Sequence, residues 1–222
     1  MRIPLYIEMK GRNILVIGGG NVGTKRALKF LEAGANVRVV SKEFSPTLRE
    51  TAEREARLQL VQADASDPKE LESLVEWAHI VVLATDNLEL NRRISRLARR
   101  LGKLVNNATD ASDTDIVVPF ETEVDGIRVA VTTEGRAGVV ARLTIERIEK
   151  MLRNDKELRT LMEVMSRAKE YMKTVIGNPK KRFPIYFELA DDEKLRSLAR
   201  QGKAEEAWIR AKEIIDSRAA EN

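Results

Sequence analysis

The sequence predicts an α/β chain in which a doubly wound parallel sheet is followed by a small α+β unit and a helical C-terminal region. Three observations carry this: an apolar, β-branched run that ends in Gly18, Gly20 and Gly23; short apolar runs alternating with amphipathic stretches as far as Asn106; and the loss of that alternation after Asp115.

The first strand is Asn13–Ile17, and the stretch 24–33 after the glycines is a helix with Ala27, Leu28 and Leu31 facing inward. Gly34 stops that helix and residues 35–40 form the second strand. Residues 46–57 read as helix, 58–63 as strand, 68–77 as helix and 79–84 as a fourth strand whose continuous apolar run marks cover on both faces. A helix over 87–101 turns Ile94, Leu97, Ala98 and Leu101 inward, Gly102 ends it, and 103–106 is the fifth strand. Beyond it, strand-like runs at 116–121 and 126–132 meet through Val124-Asp125-Gly126 with no crossover helix, which reads as a hairpin. Helices follow over 136–152 and from Leu158 to the break at Gly177-Asn178-Pro179, and the pair 191–200 and 204–218 closes the chain. The methionines of this region are read as core filling. The expected domains are 1–115, 116–152 and 153–222.

The glycine turn is a Rossmann-like dinucleotide grip. Gly18 takes the turn without a Cβ penalty, Gly20 lets backbone approach a pyrophosphate, and Gly23 lets the helix pack close to the strand. The free N–H groups at the helix start face the anion, and Asn21 and Val22 join Gly18, Gly20 and Gly23 as cofactor-binding candidates. In such a sheet the ligand crosses the C-terminal strand ends, which adds Ser41, Lys42 and Glu43 after the second strand and Thr85 and Asp86 after the fourth.

Composition narrows the partners. The 222 residues carry 39 Lys plus Arg against 35 Asp plus Glu, a mild and interspersed +4 that does not point to nucleic acid and leaves a multiply anionic small molecule compatible. No stretch reads as a membrane span, and Met1-Arg2-Ile3-Pro4-Leu5-Tyr6 lacks the features of a secretory signal, so a cytoplasmic protein is expected. Zero cysteines agree with that compartment and exclude thiol chemistry and thiolate metal sites. With His79 alone, at the far end of its strand from the expected site, no preformed metal site is expected.

Particular residues carry a resemblance. Pro4-Leu5-Tyr6-Ile7 leading to Lys10-Gly11-Arg12, Gly18-Gly19-Gly20-Asn21-Val22, Ala84-Thr85-Asp86-Asn87 with Leu90-Asn91, and Val105-Asn106-Asn107 resemble the precorrin-2 dehydrogenase family, which includes the N-terminal module of siroheme synthase. The likeness covers residues 1–152 and continues through Ile116-Val117-Val118-Pro119 and the register from Val129 to Gly135. It implies oxidation of precorrin-2 to sirohydrochlorin with NAD as hydride acceptor, in a homodimer joined through the segment after the nucleotide domain; some relatives also insert ferrous iron. It implies a catalytic carboxylate just past the fifth strand, where Asn106-Asn107-Ala108-Thr109-Asp110 offers Asp110, while ungapped alignment from Pro119 puts Thr109 there.

The chemistry agrees: removing a hydride from a ring carbon leaves a cation that sheds a proton, which a base assists. Asp110 also suits a plain turn residue in Asp110-Ala111-Ser112-Asp113. Asn107, Thr109 and Arg136 are the substrate candidates. The family's Gly-x-Ser-Pro is here Gly135-Arg136-Ala137-Gly138, which loses a hydroxyl N-cap and offers Arg136 to a substrate carboxylate. The second strand ends in Ser41-Lys42-Glu43, without an acid directly at its tip, so Lys42 leaves NADP open beside NAD. Arg92, Arg96, Arg99 and Lys103 read as a solvated helix face, and Lys180-Lys181-Arg182 as a connector. Two alternatives stand beside the dehydrogenase: a bifunctional dehydrogenase and ferrochelatase, and an NAD(H)-sensing module whose helical tail contacts a partner.

Overall fold

Alternate residues of β1 (Asn13–Ile17) face opposite layers, so its apolar run Ile14-Leu15-Val16-Ile17 needs a helix on each side. The computed structural model, which describes residues 2–65 and 68–220, supplies both. Met1, where the leader reading begins, and residues 221–222 of the expected helical region lie outside the described residues. The chain divides into two compact units, Met1–Val118 and Pro119–Asn222.

In the first unit α1 (Asn21–Glu32), β2 (Asn36–Ser41), α2 (Pro46–Arg54), β3 (Leu58–Gln62), α3 (Pro68–Trp77), β4 (Ile80–Leu83), α4 (Leu88–Arg100) and β5 (Leu104–Asn107) follow β1 in the expected alternation. The sheet is five-stranded in the order β3-β2-β1-β4-β5, and its strands pair in parallel. Ile14, Val16, Val37, Val39 and Val82 pack with Ala27, Leu31 and Leu48 on one face; Leu15, Ile17, Val81, Leu83 and Val105 pack with Leu71, Val75, Ile94 and Ala98 on the other. Each such fully buried aliphatic side chain contributes about 1.5–3 kcal/mol. His79 precedes β4 and accepts the Asn13 N–H at 2.9 Å through Nδ1, which makes it a strand-entry residue.

The free edge of β5 is closed from within its own unit. The amides of Val105 and Asn107 point away from β4 and donate to Asp115 Oδ2 and Thr114 Oγ1, each at 3.0 Å. The Val105 carbonyl accepts from the Asp115 and Ile116 amides at 2.8 and 3.1 Å. This corrects the strand expected over 116–121: the Ile116 amide and carbonyl are taken by Val105 and by the Asn106 side chain, and Ile116 and Val118 pack against the sheet core.

The second unit begins with the hairpin of β6 (Phe120–Val124) and β7 (Ile127–Val131), in which Phe120 pairs with Val131 and Val124 with Ile127. Asp125 and Gly126 take φ of 49° and 85°, the two-residue turn that matches strand twist. Helices α5 (Gly138–Asn154), α6 (Lys156–Val175), α7 (Pro179–Asp191), α8 (Glu193–Arg200) and α9 (Ala204–Ala220) complete the unit. Val164, Ala168, Met172, Leu189, Leu195, Ala211 and Ile215 form its core, so Met172 fills core as expected, whereas Met151 is exposed. Helix α7 replaces the expected connector at Lys180-Lys181-Arg182: Pro179 sits at its first position, Asn178 caps it, and buried Ile185 and Leu189 outweigh the bond lost at Pro184. Among the described residues no helix is long and apolar enough to cross a membrane.

Candidate functional site

A loop leaves the C-terminal end of each parallel strand, and those after β1, β2, β4 and β5 carry the candidate residues. In the glycine loop Gly18 has φ of 112°, and a Cβ there would stand 2.5 Å from the Ala84 carbonyl oxygen. A Cβ on Gly23 would stand 1.9 Å from the Gly18 carbonyl oxygen, which fixes how closely α1 meets β1. At Gly20 a Cβ would meet nothing within 4 Å, so the backbone there faces open space. Gly20 caps α1 without a side-chain hydrogen bond and no acid stands in the first turn, leaving the first N–H groups of Asn21, Val22 and Gly23 to an incoming anion. This bare helix start over an open backbone cradle fits a pyrophosphate.

The loop after β2 lies against the glycines. A Cβ on Gly19 would stand 2.3 Å from the Glu43 carbonyl oxygen, the Ser45 amide donates to the Gly19 carbonyl at 3.2 Å, and the hydroxyls of Thr24 and Ser45 are 2.9 Å apart. Gly19, Thr24 and Ser45 escaped sequence reasoning, although a third adjacent glycine was a visible signal for the close approach. In this loop Ser41 Oγ accepts from the Glu43 amide at 3.4 Å, and Lys42 Nζ meets Asp64 Oδ2 at 2.9 Å.

Between the loops after β4 and β5 stands Asn91, fully buried on α4. Its Oδ1 accepts the Thr85 hydroxyl at 2.6 Å, and its Nδ2 donates to the Thr85 carbonyl and to Thr109 Oγ1, both at 3.0 Å. Thr109 passes the network to Asn107, whose Oδ1 accepts from the Thr109 hydroxyl at 2.8 Å and from the Thr109 and Asp110 amides at 3.1 and 3.2 Å. Asn107 Nδ2 reaches Asp113 at 3.3 Å, and Arg99 clamps Asp113 at 2.5 Å and Asp115 at 3.0 Å. Arg99 lies on the exposed face of α4 as expected and also pins the loop on which Asp110 sits. A polar residue in the apolar stripe of Ile94 and Ala98 was the signal for Asn91.

Asp110 Oδ1 accepts from the Ser112 amide at 2.9 Å and its hydroxyl at 2.6 Å. The Ser112 hydroxyl, then its amide, hold the Asp110 carboxyl below its ordinary value, so it is a carboxylate at neutral pH. Burial pushes Asp113 up, but hydrogen bonds from Arg99, Ser95 and Asn107 together hold it low. The structure thus gathers Thr85, Asn107, Thr109 and Asp110 around Asn91, with Asp86 exposed beside Thr85. Arg136 belongs to the second unit, in the turn before α5, where its amide donates to the Thr133 carbonyl at 3.1 Å. The α5 helix expected from Arg136 begins at Gly138, because residues 133–136 close a turn in which Glu134 has φ of 52°. Ala137 caps α5 without a side-chain bond. Asn106 Oδ1, at the end of β5, is buried without a hydrogen-bond partner. Among the described residues no group of three or more His, Asp or Glu is placed to hold a metal ion.

Known proteins are similar to this chain in sequence and in fold. The chain matches a family model described as "Putative NAD(P)-binding" over residues 5–120. It is 29% identical over 196 residues to the "Putative precorrin-2 dehydrogenase" of Methanocaldococcus jannaschii, covering 87% of this chain and 92% of that one. It is 32% identical over 176 residues to "Siroheme synthase 2" of Aeromonas hydrophila subsp. hydrophila, covering 79% of this chain but 35% of that longer protein. Among solved structures it is similar to "SirC, precorrin-2 dehydrogenase", with a TM-score of 0.73 and 20% identity over 96% of this chain and 100% of that one, a likeness of fold.

Proposed function

The chain belongs to the NAD(P)-binding family whose model spans residues 5–120, and from that premise we propose that it oxidises precorrin-2 to sirohydrochlorin with NAD as hydride acceptor. The observation that carries this reading is the likeness, over 87% of this chain, to a relative named for that reaction. The open cradle at Gly20 and the bare start of α1 support it.

In this reading the backbone of Gly18, Gly20, Asn21, Val22 and Gly23 holds the pyrophosphate, and Ser41, Lys42 and Glu43 face the adenosine ribose. Thr85 and Asp86 border the other half of the nucleotide. NAD, when bound, supplies the hydride acceptor. The substrate, having lost a hydride, must release a proton, and Asp110 as a carboxylate receives it. Thr109, one residue earlier, holds the same loop and is the alternative occupant of that place. The Asn91 network fixes both relative to β4 and β5, and Asn107 and Thr109 meet the substrate's polar groups.

The protein acts as a homodimer joined through its second unit, which the exposed Val139, Val140 and Leu143 on α5 and Phe120 on β6 support. A cytoplasmic setting is supported by the absence of cysteine from the sequence. Purified protein given precorrin-2 and NAD should form sirohydrochlorin with the absorbance of NADH. No turnover with either NAD or NADP would overturn the reading. Sirohydrochlorin and ferrous iron supplied without pyridine nucleotide test the bifunctional alternative, which predicts metallation faster than the uncatalysed rate.

A further inference from the structure

The tip of β2 decides which nucleotide such a fold takes: an acid there hydrogen-bonds the 2′-hydroxyl of NAD, whereas a cation accommodates the 2′-phosphate of NADP. Here the tip reads Ser41-Lys42-Glu43, a hydroxyl, a cation and an anion in succession. Lys42 alone would favour the phosphate. The geometry answers with a residue from the neighbouring strand end. Ser41 is in register with Gln62, the Ala63 amide donates to the Ser41 carbonyl at 3.3 Å, and Gln62 Nε2 donates to the Lys42 carbonyl at 3.3 Å. The two loops therefore leave the sheet side by side, and Asp64 Oδ2 reaches Lys42 Nζ at 2.9 Å.

We propose that Asp64 is a specificity residue: by holding the Lys42 ammonium it denies the 2′-phosphate its cation and keeps the site selective for NAD over NADP. This rests on the placement of the nucleotide argued above. Two features support it. Lys42 and Asp64 side chains are 74% and 51% exposed, so the pair adds little to stability and is open to an incoming ligand at the C-terminal ends of β2 and β3. Glu43, whose backbone carbonyl packs on Gly19, adds a negative charge to the loop that carries Lys42, so a phosphate dianion arriving there meets an already engaged ammonium in a loop pair of net negative charge. Removing the Asp64 charge changes both terms in the same direction, lowering the repulsion and freeing the donor.

The test is direct titration of the full-length protein with NADH and NADPH, read by nucleotide fluorescence, for wild type, Asp64→Asn and the double variant Asp64→Asn with Lys42→Met. Asp64→Asn should lower the ratio of the NADPH to the NADH dissociation constant by about tenfold at low salt. The gain should shrink as ionic strength rises and vanish in the double variant, because it depends on the freed ammonium. An unchanged ratio in Asp64→Asn overturns the proposal, as does a gain that survives loss of Lys42. An equal weakening of both nucleotides overturns it too, by making Asp64 a contact to the shared adenosine. If wild type binds neither nucleotide, the cofactor placement and this proposal fall together.

Discussion

Gly20 and Gly23 are three residues apart, and the structure assigns them opposite kinds of failure. Gly20→Val adds a side chain where a Cβ meets nothing within 4 Å, at a φ of −77° that any residue adopts. The fold should lose only the difference between glycine and valine at a helix cap, about 1 kcal/mol, or about 2–4 °C in Tm for a chain of this size. The same side chain occupies the space through which a pyrophosphate reaches the backbone. One lost hydrogen bond to a charged group costs about 1.5–3 kcal/mol, a rise in Kd of about 10- to 150-fold. Gly23→Ala inverts the pattern: its methyl would stand 1.9 Å from the Gly18 carbonyl oxygen, so α1 must move off β1 and Tm should fall well beyond that of Gly20→Val. Calorimetric titration with NADH beside thermal unfolding reads both quantities on each variant. A Gly20→Val protein that binds NADH as tightly as wild type would refute the reasoning.

Asp110→Ala should depress turnover by about two to four orders of magnitude while the Kd for NADH stays near wild type, and turnover at the wild-type rate would transfer the role to Thr109. Because the Ser112 hydroxyl holds Asp110 below its ordinary value, Ser112→Ala should raise it and shift the acid limb of the kcat/KM profile to higher pH; a base is lost as pH falls through its own pKa. Asp113 is likewise depressed when folded, so it adds stability that is present above the unfolded carboxyl value and lost as pH falls through the folded one. Urea midpoints measured from neutral pH downward should therefore fall less steeply for Asp113→Asn than for wild type. On α5, Val140→Glu with Leu143→Glu should convert the expected dimer to monomer in sedimentation analysis, with far-ultraviolet circular dichroism unchanged, since both side chains are exposed.

The parallel sheet was legible because its information is local. β1 and β4 are short apolar runs, β2 and β3 place Val37, Val39, Leu58 and Leu60 at alternate positions, and Gly18, Gly34 and Gly102 stand at positive φ where the turns were read. Residues 116–119 carry an equally good strand pattern, but the amide and carbonyl of Ile116 are claimed by Val105 and Asn106, a choice made by tertiary proximity. Helix α7 was hidden by Pro184, whose local penalty is outweighed by burying Ile185 and Leu189. In the site, the glycine loop was visible as a motif, whereas the bonds from Arg99 to Asp113 and Asp115 span 14 and 16 residues and exist only once α4 lies on β5. The pairing of Lys42 with Asp64 was invisible for the same reason: it depends on β2 and β3 ending in register.

The closed edge of β5 ties chemistry to solubility. An outermost strand with outward amides and carbonyls is a template onto which a second chain can add itself and propagate. Here the outward amides of Val105 and Asn107 are already taken by Asp115 and Thr114, and the outward Val105 carbonyl by the amides that follow. The segment that does this is the continuation of the Asp110 loop. Any change that loosens the loop, at Arg99, Asp113 or Asp115, therefore also unseals the sheet, so under the catalytic role proposed for Asp110 the loop answers to self-association as well as to turnover.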